Sequence, residues 1–184
     1  PVIRAEHIER LLQKLDMLGE GDVLFLSGSI PPSLSEDIYS DMMGHLKGRK
    51  VRVVVDASGK LLCKVLEQHP FLIKPNRQEL SEIFGVELSD RESVVPYGRR
   101  LLEMGAENVL ISLGAEGAVL LAEDGQILSM PAPEGRVVNS VGAGDSMVAG
   151  FLAGCLKTGD YEYALKLGTA AGSATAFSLG LAER

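Results

Sequence analysis

The sequence has no tryptophan and few aromatic side chains of any kind. Tyrosine and phenylalanine together make up 5% of its 184 residues, so a core must be built mainly from aliphatic side chains. These are plentiful, since 46% of the chain is hydrophobic and only 23% is charged. A chain of this length and composition can bury a sizeable core, which predicts a single globular domain over residues 1–184, or one part of a larger domain.

Excess positive charge is also missing. The formal net charge is −7 at pH 7, so the chain lacks the basic surface that holds a nucleic acid and would be repelled by anionic lipid. No run reaches the roughly 18 apolar residues of a membrane span, and the first residues have the pattern of a charged amphipathic helix without a signal-peptide core. We expect no nucleic-acid or membrane partner, and any bound phosphate must be met by local groups.

Cysteine and histidine are scarce and scattered. Cys63 and Cys155 lie far apart in apolar helical contexts, without the CxxC or Cys/His spacing of a metal site. His7, His45 and His69 form no ligand spacing either. This pattern is typical of reduced core cysteines and predicts a cytoplasmic protein.

Short apolar runs alternate with helical patterns along the chain. Runs that predict strands lie at 23–26, 51–56, 71–73, 108–113, 118–122 and 127–130. Helical spacing follows or precedes them at 11–18, 35–47, 60–68, 78–84, 92–104, 147–156 and 164–182. The dipeptide Asp124-Gly125 predicts a hairpin between the last two strands. This alternation predicts an α/β fold whose mainly parallel sheet is covered on both faces.

Polar and glycine-rich loops follow the predicted strands. In open α/β sheets, ligands bind at the carboxyl ends of the strands. The loops that begin at Ser27, Asp56, Lys74, Ser112 and Val141 are therefore expected along one edge of the sheet.

The segment VGAGDSMVAGF (141–151) places two glycines and a carboxylate in front of an apolar helix. Gly142 and Gly144 allow a tight turn with outward N–H groups, and such a helix N-terminus binds anions. Alternatively, Asp145 caps the helix and complements its dipole. The Walker A pattern fails because it needs lysine after the second glycine, and the dinucleotide fingerprint fails because Met147 stands where it needs a third glycine.

The longer segment NSVGAGDSMVAGF resembles the carboxy-terminal signature of the ribokinase superfamily, in its phosphofructokinase B branch of ATP-dependent sugar and sugar-phosphate kinases. Five further segments occur in the order expected of that branch: LSGSIPPSL (26–34), VVVDASGKLL (53–62), LIKPNRQEL (72–80), ISLGAEGA (111–118) and GTAAGSATAFSLG (168–180). The six segments cover nearly the whole chain, which is most similar to 1-phosphofructokinase and tagatose-6-phosphate kinase members. The resemblance implies a three-layer α/β/α ribokinase-like fold.

The resemblance also assigns catalytic roles. It implies that Asp145 is the general base for the acceptor hydroxyl, while Gly142, Ala143 and Gly144 form an anion hole for the transferring phosphoryl group. Phosphoryl transfer needs a positioned nucleophile and builds charge on the phosphoryl oxygens, so a carboxylate beside N–H donors suits both needs.

ATP and Mg²⁺ are the cofactors that the resemblance implies. Lys74 is expected near the nucleotide phosphates, and Asn76 and Glu79 help to hold the magnesium, partly through water. Asn76 and Glu79 also fit a capping box at the start of a helix, and both roles can hold at once.

Two glycine-containing segments are implied to lie near the nucleotide. The first consists of Ser112, Leu113, Gly114, Ala115, Glu116 and Gly117. The second contains Gly172, with Gly168, Ala171 and Ala174, and would shape a slot near the adenine. The alternatives are an ordinary turn for the first segment and close helix packing for the second.

The residues Ser27-Gly28-Ser29 resemble the family's loop that contacts the phosphate already on the acceptor. Gly28 and Ser29, with Asp145, are therefore expected to bind a sugar phosphate. The first expectation is conversion of fructose 1-phosphate to fructose 1,6-bisphosphate, with tagatose 6-phosphate or fructose 6-phosphate as alternative acceptors. A non-catalytic nucleotide-binding or assembly module is the alternative from another class, and Asp56 is given no catalytic role.

Two further expectations follow from the resemblance. Carbonyl groups around Asn139 and Val141, with the turn at 178–180, fall where some relatives bind a monovalent cation such as K⁺, and the sequence leaves open whether this chain does. A complete family member would also carry earlier strands and a lid over the sugar. We therefore expect the chain to be inactive alone, with an exposed sheet edge that favours homo-oligomers.

Overall fold

The computed structural model describes residues 3–182, which form one six-stranded sheet with helices on both faces. The strands are β1 (Val23–Ser27), β2 (Arg52–Asp56), β3 (Leu72–Ile73), β4 (Val109–Ser112), β5 (Ala118–Leu121) and β6 (Ile127–Met130). The helices are α1 (Ala5–Leu15), α2 (Ile38–His45), α3 (Gly59–Val65), α4 (Arg77–Phe84), α5 (Arg91–Glu103), α6 (Ala143–Thr158) and α7 (Tyr161–Ala176). The domain predicted over 1–184 includes residues 1, 2, 183 and 184, which lie outside the described residues. None of the helices between residues 3 and 182 is long and apolar enough to cross a membrane.

The strands lie side by side in chain order. Strands β1 to β4 pair in parallel, whereas β4 with β5 and β5 with β6 pair antiparallel. The hairpin predicted at Asp124-Gly125 joins β5 to β6. The predicted α/β fold with a mainly parallel sheet is confirmed.

Each face of the sheet is covered by its own hydrophobic core. Side chains alternate between faces along a strand, so Val53 and Val55 pack with helices α1 to α5, whereas Val54 packs with α6 and α7. Phe151 of α6 is fully buried in the second core. Small residues bring α6 and α7 close together, since a Cβ added at Gly154 would lie 2.5 Å from the Cα of Ala164.

The last helix is shorter than predicted. Helical spacing extends to residue 182, but α7 ends at Ala176. The carbonyl oxygen of Ala176 accepts hydrogen bonds from the N–H groups of Val138 (2.8 Å) and Asn139 (3.1 Å). The prediction of a helix to 182 is therefore wrong, because the last carbonyl group of α7 is hydrogen-bonded by the loop that precedes α6.

The strand register brings the predicted loops together. Ser27 lies opposite Asp56, and Asn76 forms an isolated parallel bridge with Ser112. The carboxyl ends of β1 to β4 consequently share one edge. At the side of the sheet, β1 is an edge strand within residues 3–182, and Phe25 on this strand is 38% exposed.

Candidate active site

The first turn of α6 has open N–H groups. Gly142 is its N-cap with φ of 79°, a left-handed conformation that glycine adopts without steric cost. The N–H of Ala143 donates to Ser140 O at 3.2 Å, so it is used within the turn. No acceptor among residues 3–182 bonds the N–H groups of Gly144 or Asp145, as is usual for a first helical turn.

Asp145 stands exposed in this first turn. The N-cap position of α6 is held by Gly142 and not by Asp145, so the capping alternative is not observed in that form. The carboxylate still complements the helix dipole. It is available to a ligand at the same edge as the other predicted residues.

A buried ion pair lies beside the start of α6. Lys74 is only 6% exposed, and its Nζ lies 3.3 Å from Asp56 Oδ1. A Cβ added at Gly144 would lie 3.2 Å from the same Nζ. Burial raises the pKa of Asp56, the ammonium of Lys74 partly offsets this, and the carboxylates of Glu79 and Asp145 raise that pKa again. These four charged groups therefore share one electrostatic environment.

The sequence interpretation placed the loop that begins at Asp56 at this edge, because ligands bind at the carboxyl ends of parallel strands. It gave Asp56 no catalytic role and did not pair it with Lys74. The counter-charge of Asp56 could not be named from the sequence, since Lys74 approaches it from the end of the neighbouring strand β3.

Asn76 and Glu79 form the capping box that their spacing predicts. Asn76 Oδ1 accepts from the N–H of Glu79 at 2.8 Å, and the N–H of Asn76 donates to Glu79 Oε2 at 2.8 Å. Oxygen donors of this kind suit Mg²⁺, which keeps several waters and uses few carboxylates. Between residues 3 and 182, no group of three or more His, Cys, Asp or Glu side chains could hold a metal. An ion held here would therefore need further oxygen ligands from water or a nucleotide.

A cavity of about 490 Å³, which we call the α6 cavity, lies between the end of β4, α6 and α7. Its size falls within the range of small-molecule sites. The predicted residues that line it are Ser112, Gly114, Ala115, Ala143, Gly144 and Gly172. A Cβ added at Gly114 would meet nothing within 4 Å, so this glycine leaves the wall open.

The loop before α6 supplies a wall of the α6 cavity that the sequence interpretation did not assign. Its segment 132–135 and Val137 line the cavity. Gly135 packs so closely on Phe177 that an added Cβ would lie 2.3 Å from the ring. The Pro and Gly content of this loop was the only sequence signal for it.

Some predicted residues do not line the α6 cavity. Leu113 is buried in the core, and the Glu116 carboxylate is hydrogen-bonded by Arg77. Gly117 lies against the chain after β6, where an added Cβ would be 2.0 Å from Met130 O. Gly168 packs beneath α6, as its helix-packing alternative expects.

A second cavity, of about 500 Å³, lies at the carboxyl ends of β1 and β2, and we call it the acceptor cavity. Gly28, Ser29, Asp56 and Glu79 line it. The hydroxyl of Tyr39, which the sequence did not single out, donates to Ser27 O at 2.8 Å and so fixes the start of this loop.

Lys74 lies between the two cavities. Its ammonium contacts Asp56, which lines the acceptor cavity, and also approaches Gly144, which lines the α6 cavity. Two ligands could therefore meet beside one buried ammonium and the open start of α6.

The two segments expected near a monovalent cation also come together. Asn139 Nδ2 donates to Leu179 O at 3.1 Å, and the N–H of Val141 donates to Asn139 Oδ1 at 3.0 Å. These contacts hold the loop before α6 against the turn after α7. Cation binding itself stays a prediction.

Curated proteins similar to this chain are sugar-phosphate kinases by name. The 1-phosphofructokinase of Bacillus subtilis is 47% identical over 178 residues, covering 97% of this chain and 58% of that protein. The D-tagatose-1-phosphate kinase of Bacillus licheniformis is 37% identical, covering 100% of this chain and 60% of that protein. The chain thus spans about three fifths of the length of these relatives.

Solved structures confirm the ribokinase-like fold. A Staphylococcus aureus crystal structure provisionally named a phosphofructokinase matches with a TM-score of 0.92 and 37% identity, covering 99% of this chain and 59% of that one. Phosphofructokinase-2 from Escherichia coli in complex with potassium matches with a TM-score of 0.89 and 27% identity, covering 98% and 59%. Ribokinase from Arabidopsis thaliana, at 21% identity, covers 97% and 55% and shares the fold with a TM-score of 0.74.

A sequence model of the pfkB family carbohydrate kinases matches residues 2–183. The match includes both cavities and the start of α6 between them. On this match, and on the relatives of similar sequence, the chain belongs to the pfkB family of carbohydrate kinases.

Proposed function

We propose that the whole protein transfers a phosphoryl group from ATP to a hydroxyl of a sugar phosphate. The observation that carries this proposal is the exposed carboxylate of Asp145 next to Gly144, whose N–H is open and whose Cα lies close to the buried ammonium of Lys74. A base, a donor and a fixed positive charge are the groups that phosphoryl transfer requires.

Each of these groups has one task in the proposed reaction. Asp145 accepts the proton of the attacking hydroxyl. The N–H of Gly144 and the ammonium of Lys74 stabilise the charge on the phosphoryl oxygens, and Asp56 holds Lys74 in place. Bound magnesium would add positive charge at the phosphates, and Asn76 and Glu79 are the residues of this chain that would hold it.

The two cavities divide between the two substrates. We assign ATP to the α6 cavity, whose walls include Ala115, Met147 and Phe177 and suit the apolar faces of a nucleotide base. The sugar phosphate belongs in the acceptor cavity, with Gly28 and Ser29.

Both cysteines are free, which agrees with a reaction in the reducing cytoplasm.

The names of the relatives favour a ketose 1-phosphate as acceptor. Fructose 1-phosphate is our first choice, from the B. subtilis relative. D-Tagatose 1-phosphate is the second candidate, from the B. licheniformis relative. Fructose 6-phosphate and tagatose 6-phosphate are further alternatives. Potassium is proposed as an accessory ion near Asn139, because the structurally similar E. coli protein was crystallised with it.

A coupled assay of the whole protein with ATP and these four acceptors tests the proposal. We expect the highest kcat/KM with fructose 1-phosphate, and no turnover by the 184-residue chain alone. If ATP binds the whole protein but no acceptor is phosphorylated, the kinase proposal fails and a non-catalytic nucleotide-binding module is favoured.

A further inference from the structure

The turn at residues 114–116 forms part of the wall of the α6 cavity. Gly114 and Ala115 line the cavity, and both are exposed, as is Glu116. Gly114 has φ of 61°, and a Cβ added there would meet nothing within 4 Å. Because glycine permits many backbone conformations, the position of this wall depends on how the ends of the turn are held.

Two arginines bind Glu116 at the end of this turn. Arg77, the first residue of α4, donates from Nη2 to the Glu116 carboxylate, and its Nη1 donates to Ser89 O at 3.1 Å. Arg91, the first residue of α5, donates from Nη2 to the carbonyl oxygen of Glu116 at 2.5 Å. Glu116 is thus held through both its side chain and its main chain.

These contacts are partly shielded from water. The side chain of Arg77 is 25% exposed, that of Glu116 is 45% exposed, and the Nε atoms of Arg77 and Arg91 are buried. Hydrogen bonds between charged groups are stronger than those between neutral groups. A planar guanidinium also donates in several fixed directions, which lets Arg77 bind two segments at once. We therefore expect the two arginines to restrain the turn.

The other end of the loop is attached to the same place. The N–H of Ser112 donates to Pro75 O at 3.1 Å. Arg77 itself stands inside the capping box at the start of α4, the segment proposed to hold magnesium. Residues 112–116 are therefore tied to residues 75–79 at both ends of the loop.

We propose that Arg77 and Arg91 are positioning residues that fix the turn 114–116 against the start of α4. The wall of the α6 cavity and the segment that would hold magnesium then keep one relative position when ATP binds. This inference rests on the proposed function and adds two residues to it. Both act through Glu116 and not on the phosphates, since the Nη2 group of each donates to Glu116.

The first test is amide hydrogen exchange in the whole protein without ligand. Arg77→Met and Arg91→Met should each speed the exchange of the Gly117 N–H, which donates to Gly114 O at 3.0 Å within the turn, by about tenfold or more. The amides of β5 should exchange at the unmodified rate. Arg99→Met is the matched control, because it removes an exposed charge from the middle of α5 and should leave the turn unchanged.

The second test is calorimetric binding of ATP with magnesium. Arg77→Met and Glu116→Ala should each raise the Kd for ATP about fivefold to twentyfold. The double variant should bind about as weakly as the weaker single variant, because either change breaks the same contact. The Kd for fructose 1-phosphate should change less than about twofold, since the acceptor cavity does not include the turn.

The inference is overturned if the effects of Arg77→Met and Glu116→Ala on the Kd for ATP add, because Arg77 would then act on ATP without Glu116. Unchanged exchange at Gly117 would also contradict it, as would exchange that speeds up equally in β5. Neither measurement needs turnover. If no acceptor is phosphorylated, the kinase proposal fails while exchange and ATP binding still test the inference. If the unmodified protein does not bind ATP, both fail.

Discussion

Lys74 controls the charge of Asp56, and the pKa of that carboxyl is a direct readout of their contact. Burial raises the pKa of Asp56, and the charge and hydrogen bond of Lys74 are what lower it. Lys74→Met should therefore raise the pKa of Asp56 further, as measured by NMR titration of its side-chain carboxyl carbon. Lys64→Met is the control. The ammonium of Lys64 pairs with other acids, so its removal should leave the titration of Asp56 unchanged.

The same shift determines the sign of a stability effect. Because the folded-state pKa of Asp56 lies above its usual value, its ionisation opposes folding. The stability that protonated Asp56 contributes is fully present below its pKa in the unfolded chain. This stability is lost as the pH rises through its pKa in the folded protein. In Lys74→Met this loss should extend to higher pH. An Asp56 midpoint that falls or stays constant would show that the two groups are not coupled.

Sequence patterns predicted the contacts between residues that lie close together in the sequence. Asn76 and Glu79 are three residues apart, and their capping box formed as predicted. The pairing of Asp56 with Lys74 was not predicted, because Lys74 follows another strand and is brought near by the register that sets Val55 opposite Ile73. Glu116 lies in the predicted loop, but its side chain turns to an arginine that the local sequence does not reveal.

At the scale of elements, a substitution in the first turn of α6 should affect helix stability and phosphate binding differently. An alanine at Gly144 would favour the helix by about 0.5–1 kcal/mol, but its Cβ would lie 3.2 Å from Lys74 Nζ and 3.3 Å from Lys74 Cε. Gly144→Ala should therefore leave thermal stability unchanged or higher while lowering kcat about tenfold or more. Gly44→Ala in α2, where the nearest atom lies 4.0 Å away, should stabilise without loss of activity.

The result for Gly144→Ala depends on whether Lys74 can move aside without cost. Full activity with the added methyl group would mean that the position of Lys74 beside α6 is unimportant. Loss of both stability and activity would instead indicate general damage to the turn.

Elements were predictable where their signals are local. The apolar runs gave the strands, and Asp124-Gly125 gave the hairpin of β5 and β6. The end of α7 was not predictable, because residues 177–182 keep helical spacing while the carbonyl of Ala176 bonds the distant Val138 and Asn139. The wall formed by 132–135 and Val137 was not predicted for the same reason, since its position depends on packing against Phe177.

At the scale of the molecule, β1 presents an edge of the sheet within the described residues. Phe25 is partly exposed there, and exposed edge strands pair with other chains. We expect the 184-residue chain to form dimers or larger assemblies, and Phe25→Lys to shift it towards monomer. Multi-angle light scattering over a range of concentrations measures both.

A compact monomer at high concentration would contradict this expectation, as would a Phe25→Lys variant that associates as strongly as the unmodified chain. The tetrameric form of E. coli phosphofructokinase-2 is a property of that protein. The assembly of the present chain stays a prediction.

The single-domain organisation over 1–184 also stays a prediction.

The most direct test of Asp145 as the general base is the rate of phosphoryl transfer by the whole protein with Asp145→Asn. Loss of a general base should lower kcat about a hundredfold or more, while calorimetry should show unchanged ATP affinity. Asp41→Asn, which removes an exposed carboxylate from α2, should keep the unmodified rate. If Asp145→Asn keeps more than about a tenth of that rate, Asp145 is not the base.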